Sequence, residues 1–311
     1  MVTQVKTKTL DKLSLDGGNA FLKWSYGSVI RVVSSWAIRL DYEQEIPADA
    51  LQTKYFTEHW VFGDVAKDLG GQPLFILGKE KMTPILLKAI LESTGHEAIN
   101  KLSVLVPDSR SKTWKDEVQP QILATVPVTE IEFVSEGIPP YRWAQQAGIW
   151  KFPNLQNAIL DCGGGDLSLR MFTRSGVLDW GKSSTLPGTK AYAEKIAKAI
   201  TPKCMYTPNP GDILSSIEDG TFEYIDNGNV IDFSAIAEYQ RCQWIDEIRD
   251  SIRSKWQSEG TKIGEVMLVG GGTHLLKDGL EGTNRPYFVP ENVQVGKDFP
   301  QMINAFAMAR L

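Results

Sequence analysis

The sequence predicts an α/β protein of two related lobes, each a mixed sheet flanked by helices. Three observations carry the prediction. An apolar strand ending in a carboxylate and glycines lies near the start, Leu13-Ser14-Leu15-Asp16-Gly17-Gly18-Asn19. The same plan returns at mid-chain as Ile159-Leu160-Asp161-Cys162-Gly163-Gly164-Gly165-Asp166. Each copy continues into a second strand (Ala20 to Ser25, or Leu167 to Phe172), a turn at Tyr26-Gly27 or Arg174-Ser175-Gly176, and a third strand.

The elements follow in order. Residues 9 to 40 read as short strands broken at Asp16-Gly18 and Tyr26-Gly27, and Asp41 to Gly71 is less regular. A strand is expected at Leu74 to Gly78. A helix is expected to start at Thr83-Pro84, with Thr83 as cap and Pro84 at the first helical position. It turns Ile85, Leu86, Ala89 and Ile90 inward and stops at Gly95. Leu102 to Pro107 is a strand, Trp114 to Leu123 a helix and Glu130 to Val134 a strand. Ser135 to Pro140 is a turn, followed by a helix through Trp143 and Ala147. In the second half, Lys190 to Ile200 is helical, and breakers leave Lys203 to Asn229 unassigned. Asp232 to Gln257 is the clearest helix. It places Ile245, Ile248, Ile252 and Trp256 at helical spacing, with Glu238–Arg241 and Asp246–Arg249 pairs on its wet side. Val266 to Val269 is a strand running into Gly270-Gly271-Gly272, and a last helix covers about Pro300 to Leu311. The expected domains are residues 1–156 (lobe I, with a small inserted subdomain at about 41–78), 157–296 (lobe II) and 297–311, a helix returning to lobe I.

Composition narrows the function. A chain of 311 residues has room for two full cores. No run of about 18 apolar residues occurs, so no transmembrane helix or other membrane association is expected. The net charge of -5 argues against extensive direct nucleic-acid binding, whose affinity comes mainly from Lys and Arg on phosphates. Cys162, Cys204 and Cys242 are odd in number and far apart, as expected of reduced thiols in a cytoplasmic protein. His59, His96 and His274 form no metal-ligand pattern.

Each glycine-rich turn taken singly also reads as an ordinary hairpin or strand-to-helix turn. Taken together, glycine backbones that approach an anion closely and an Asp at two strand ends suit a nucleoside triphosphate with Mg²⁺. No Gly-x-x-x-x-Gly-Lys-Ser/Thr loop is present, so the phosphate site is not of that type.

The ordered set resembles the actin-like ATPases, the superfamily that also holds the heat-shock chaperone ATPases and the sugar kinases. Leu15 to Asn19 with Lys23 looks like the first phosphate motif, and Phe133-Val134-Ser135-Glu136-Gly137-Ile138-Pro139 like the connecting segment. Leu160 to Gly165 looks like the second phosphate motif, and Val266 to Gly272 like the adenosine motif. Asn304-Ala305 matches the closing element. Within the superfamily the chain is most similar to the ParM-type plasmid-segregation actins. The resemblance implies actin-like (ribonuclease-H-like) lobes with a nucleotide cleft between them, and ATP/ADP and Mg²⁺ as cofactors. Asp16 and Asp161 would hold Mg²⁺ largely through water. The N–H groups of Gly17, Gly18, Asn19, Gly163, Gly164 and Gly165 would cradle phosphates. Lys23 would neutralise phosphate charge, Glu136 would orient the attacking water, and Gly270, Gly271 and Gly272 would lie against adenine and ribose. The chain departs from the pattern at Gly18-Asn19 and Gly165-Asp166, where Ser or Thr hydroxyls are usual. The implied function is a slow ATPase forming nucleotide-dependent filaments, with DNA reached through an adaptor protein. A small-molecule kinase of the same fold and a non-polymerising nucleotide-binding regulator are the alternatives.

Overall fold

A computed structural model describes residues 8–41, 45–107, 110–256, 262–280, 286–292 and 296–311. Gln257, the expected end of the long helix, lies outside the described residues. The chain divides into two compact units, Met1–Trp143 with Met302–Leu311, and Ala144–Gln301.

In the first unit, β1 (Thr9–Gly17), β2 (Phe21–Tyr26) and β3 (Val29–Ser34) form an antiparallel meander, as the alternation of apolar and polar residues predicts. A small second sheet follows. It holds β4 (Trp36–Leu40), β5 (Leu51–Tyr55), β6 (Glu58–Phe62) and, after α1 (Asp64–Asp68), the two-residue β7 (Gln72–Pro73), in the order β5-β6-β4-β7. The stretch read as irregular therefore contains a regular hairpin. Its tip, Phe56, has φ 54° and is 86 % exposed, while Tyr55 and Trp60 on either side pack against the core.

The strand expected at Leu74 to Gly78 is instead a helical turn, α2 (Leu74–Leu77). Next comes α3 (Lys79–Thr94), which starts four residues before the expected Thr83. Pro84 sits inside it, Gly78 with φ 88° makes the sharp entry, and Thr83 Oγ1 donates to Lys79 O at 2.8 Å. Its end agrees with expectation. Gly95 is left-handed (φ 67°), and His96 N–H reaches back to Leu91 O at 3.0 Å. Then come β8 (Ala98–Val106), α4 (Ser111–Thr113), a π-helical turn at Trp114–Val118, α5 (Gln119–Thr125), β9 (Val128–Ser135) and α6 (Ile138–Gln146). The main sheet runs β3-β2-β1-β8-β9, with β8 and β9 parallel to β1. Its core joins Leu13, Leu15, Leu102 and Val104 to Leu86, Leu87 and Ile90 of α3.

The second unit repeats this plan. β10 (Gln156–Cys162), β11 (Asp166–Phe172) and β12 (Leu178–Pro187) form the meander. After them come α7 (Thr189–Ile200), α8 (Pro210–Glu218), the hairpin β13 (Glu223–Asp226) and β14 (Asn229–Asp232), and α9 (Ser234–Trp256). Then follow β15 (Ile263–Val269), α10 (Thr273–Leu280) and β16 (Tyr287–Phe288). The order β12-β11-β10-β15-β16, with β15 and β16 parallel to β10, matches the first sheet strand for strand. The unassigned stretch holds α8, capped by the Asn209 side chain accepting from Gly211 N–H at 2.9 Å. Ile245, Ile248, Ile252 and Trp256 of α9 are buried, and its two expected ion pairs form. The last helix, α11 (Phe299–Arg310), closes the chain. Among the described residues no helix is long and apolar enough to cross a membrane.

Candidate functional site

The two sheets put their carboxylates at equivalent positions. Asp16 is the second-last residue of β1 and stands beside Leu105 of β8. Asp161 is the second-last residue of β10 and stands beside Val269 of β15. Each therefore lies at the carboxyl edge of its sheet, where parallel strands end and loops present side chains and backbone amides.

At the first edge, Asp16 and Lys23 are cross-strand partners of β1 and β2, with Lys23 Nζ 3.0 Å from Asp16 Oδ2. Their side chains are only 12 % and 7 % exposed, Lys23 and Asp16 respectively. Gly17 and Gly18 are half-buried and Asn19 is exposed. Among the described residues, the N–H group of Asn19 meets no backbone carbonyl. A Cβ on Gly18 would stand 2.7 Å from Phe21 O, so this turn needs glycine for its tightness. Lys79, at the start of α3, donates to Gly17 O at 2.6 Å and brings a second ammonium to the turn. Sequence reasoning missed it, because the contact spans 62 positions and no local pattern announces it. Glu136 directly follows β9, whose Ser135 pairs with Val106 of β8. It is half-buried and sits on the same edge as Asp16, two strand spacings (roughly 10 Å) across the sheet.

At the second edge, Gly163 N–H donates to Asp166 O at 2.9 Å, closing the hairpin. The carbonyls of Gly163, Gly164 and Gly165 accept from the N–H groups of Thr189 (3.2 Å), Lys190 (2.9 Å) and Gly188 (3.2 Å). The N–H groups of Gly164 and Gly165 meet no backbone carbonyl among the described residues, and Gly165 is exposed. Gly270 (φ 92°), Gly271 and Gly272 follow β15 on the same edge. A Cβ on Gly270 would lie 2.7 Å from Asp161 Oδ1, and one on Gly272 2.5 Å from Cys162 Sγ. Glycine is thus required for the two turns to meet. Gly272 N–H donates to Cys162 O at 3.0 Å and Gly270 N–H to Pro300 O at 2.7 Å. Burial, reinforced by the Asp161 and Asp166 charges, pushes the Cys162 thiol well above its usual range, so it stays a neutral thiol beside Asp161.

The donor set suits a magnesium-bound triphosphate. Each edge, taken by itself, carries a carboxylate of the hard-oxygen type that Mg²⁺ takes and a glycine turn of the kind that suits an anion, and the first adds the Lys23 and Lys79 ammonium groups. Among the described residues no three His, Cys, Asp or Glu side chains cluster as a protein-only metal cage.

No protein-family model matches the chain, and a search of curated proteins gave no significant match. Solved structures do match along nearly its whole length. An archaeal actin homolog, Ta0583, aligns with a TM-score of 0.75 at 12% identity, covering 97% of this chain and 100% of that one. The same homolog in complex with ADP aligns at 0.72 and 13% identity, covering 97% and 98%. The structure of a 15-stranded ParM filament from Clostridium botulinum aligns at 0.73 and 15% identity, covering 98% of each chain. Identities of this size speak for the fold alone, and the chain has the actin-like, ParM-type fold.

Proposed function

We propose that this chain binds and slowly hydrolyses ATP with Mg²⁺, and that it assembles into filaments whose stability follows the bound nucleotide. The observation that supports this most directly is the repeated edge: two sheets of one topology, each ending an inner strand in Asp and a glycine turn. In this reading both turns engage one triphosphate. The N–H groups of Gly18, Asn19, Gly164 and Gly165 donate to phosphate oxygens, with Gly17 and Gly163 shaping the turns around them. Lys23 and Lys79 offset phosphate charge. Asp16 and Asp161 hold the cation through water, and Gly270, Gly271 and Gly272 leave room for the nucleoside. Mg²⁺ would supply neutralisation of the charge that develops on the transferred group. Glu136 orients the attacking water, so rate enhancement comes mainly from positioning and electrostatics.

Two solved structures support the wider reading: an actin homolog binds ADP, and ParM forms a filament. A head-to-tail contact between unlike surfaces generates an open filament. The acidic balance of the chain favours DNA engagement through a separate adaptor protein, for segregation of a plasmid or similar cargo.

Pelleting and light scattering with ATP, ADP and no nucleotide, across a salt series, test the assembly. Polymer with ATP and less with ADP is the expected result. Phosphate release should fall about a hundredfold or more in Glu136→Gln, a group acting only on the chemical step, while ATP binding persists. Polymer indifferent to nucleotide, or turnover untouched by Glu136→Gln, would overturn the proposal.

A further inference from the structure

The second glycine turn does not stand alone; it is mounted on the start of α7. A trans peptide points C=O of residue i and N–H of residue i+1 in opposite directions. Gly163 O accepts from Thr189 N–H, so Gly164 N–H points away from α7. Gly164 O accepts from Lys190 N–H, so Gly165 N–H points away as well. The first amides of α7, which a helix would otherwise offer to an anion, are spent on these carbonyls. Their role is to aim the two amides of the turn.

The mounting needs a glycine in α7's cap position. Gly188 has φ -83° and ψ -160°, a conformation open to any residue, so its lack of a side chain is a matter of space. A Cβ there would overlap Gly163 O and stand 2.8 Å from both Asp166 N and Asp166 O. α7 is itself held firmly: Tyr192 stacks on Trp244 at 5.6 Å, and its hydroxyl donates to Ala237 O at 3.1 Å.

We infer that Gly188 and the backbone N–H of Thr189 are positioning groups that set the direction of the phosphate-binding amides of Gly164 and Gly165. The inference rests on the triphosphate reading above and adds the device that makes the turn selective for phosphate.

The test compares binding of Mg-ATP and of adenosine by calorimetry in the full chain. Thr189→Pro replaces the N–H that meets Gly163 O by a ring carbon, at a first helical position where proline is well tolerated. Gly188, in an extended conformation, is a compatible predecessor for proline. Gly188→Ala reaches the same turn by a different route, through overlap. Both should weaken ATP about tenfold or more, the effect of one lost or misdirected hydrogen bond, with adenosine affinity unchanged. Thr189→Val keeps the N–H and should restore the preference for ATP. A general loss of structure would weaken both ligands together, so the ATP-to-adenosine ratio separates positioning from folding. A parent protein without preference for ATP overturns the functional reading, and this inference with it. A parental preference that survives in both Thr189→Pro and Gly188→Ala overturns the inference alone.

Discussion

The Asp16–Lys23 pair shows how much one hairpin register decides. The two residues face each other across β1 and β2 at 3.0 Å, and both side chains are largely withdrawn from water. Removing the Lys23 ammonium leaves a carboxylate with little solvent and without its ion-pair partner, which is far more costly than losing an exposed pair. Lys23→Met is therefore expected to lower unfolding stability by about 3 kcal/mol, the low end for removing one partner of a buried pair. Adding Asp16→Asn should recover part of that loss, because no buried charge then remains. Urea denaturation of the two single variants and the double variant at neutral pH measures the coupling; additive losses would show the pair to be incidental. Asp16 and Lys23 each stood out in the sequence as candidate residues. Their pairing was not, because it depends on which residues the turn sets opposite one another. Lys79 was invisible for a related reason, since only the tertiary fold brings the start of α3 to Gly17.

At the scale of elements, legibility followed how local the cause is. The wet-side ion pairs of α9 sit three residues apart and formed as expected. Gly95 ended α3 because only a left-handed residue lets the chain turn there. The start of α3 was misread because Thr-Pro suits a helix entry, yet buried Met82 and Thr83 and a left-handed Gly78 let the helix begin earlier. Leu74 to Leu77 reads as a strand by composition alone; the glycine that follows and the return to α3 make it one helical turn. The start of α9 carries a pH dependence. Asp232 Oδ1 accepts from Ser234 N–H at 2.8 Å. That backbone hydrogen bond, followed by one from the Ser234 hydroxyl, holds the Asp232 carboxyl below its usual range. A depressed carboxyl contributes stability above its unfolded value of about 3.9 and loses it as pH falls through the lower folded value. Protection of the amides in the first turn of α9, measured against their intrinsic exchange at each pH, should fall on acidification through that range in the parent. In Asp232→Asn it should vary less with pH, and equal behaviour of the two proteins would remove the cap from the account.

At the scale of the whole molecule, the repeated strand–Asp–glycine plan was readable because each copy is contiguous in sequence. The small sheet of β4 to β7 was not, since its strands are short and its order β5-β6-β4-β7 is set by long-range pairing. Among the described residues the two largest buried clusters follow from the repeat. One gathers residues from Leu10 to Val126, the other from Ala158 to Leu280. Neither core shares a residue with the other, so heating without nucleotide should give two overlapping transitions in calorimetry. A ligand that binds only folded protein raises the stability of whatever it contacts, by about 2.7 kcal/mol at a hundred times its dissociation constant. If one magnesium-bound triphosphate engages both Asp-glycine turns, ATP should move both transitions upward and draw them together. Asp16→Ala and Asp161→Ala should each reduce the shift in both transitions. Movement of one transition alone would assign the nucleotide to a single unit, and the shared-ligand reading would fail while the fold stood.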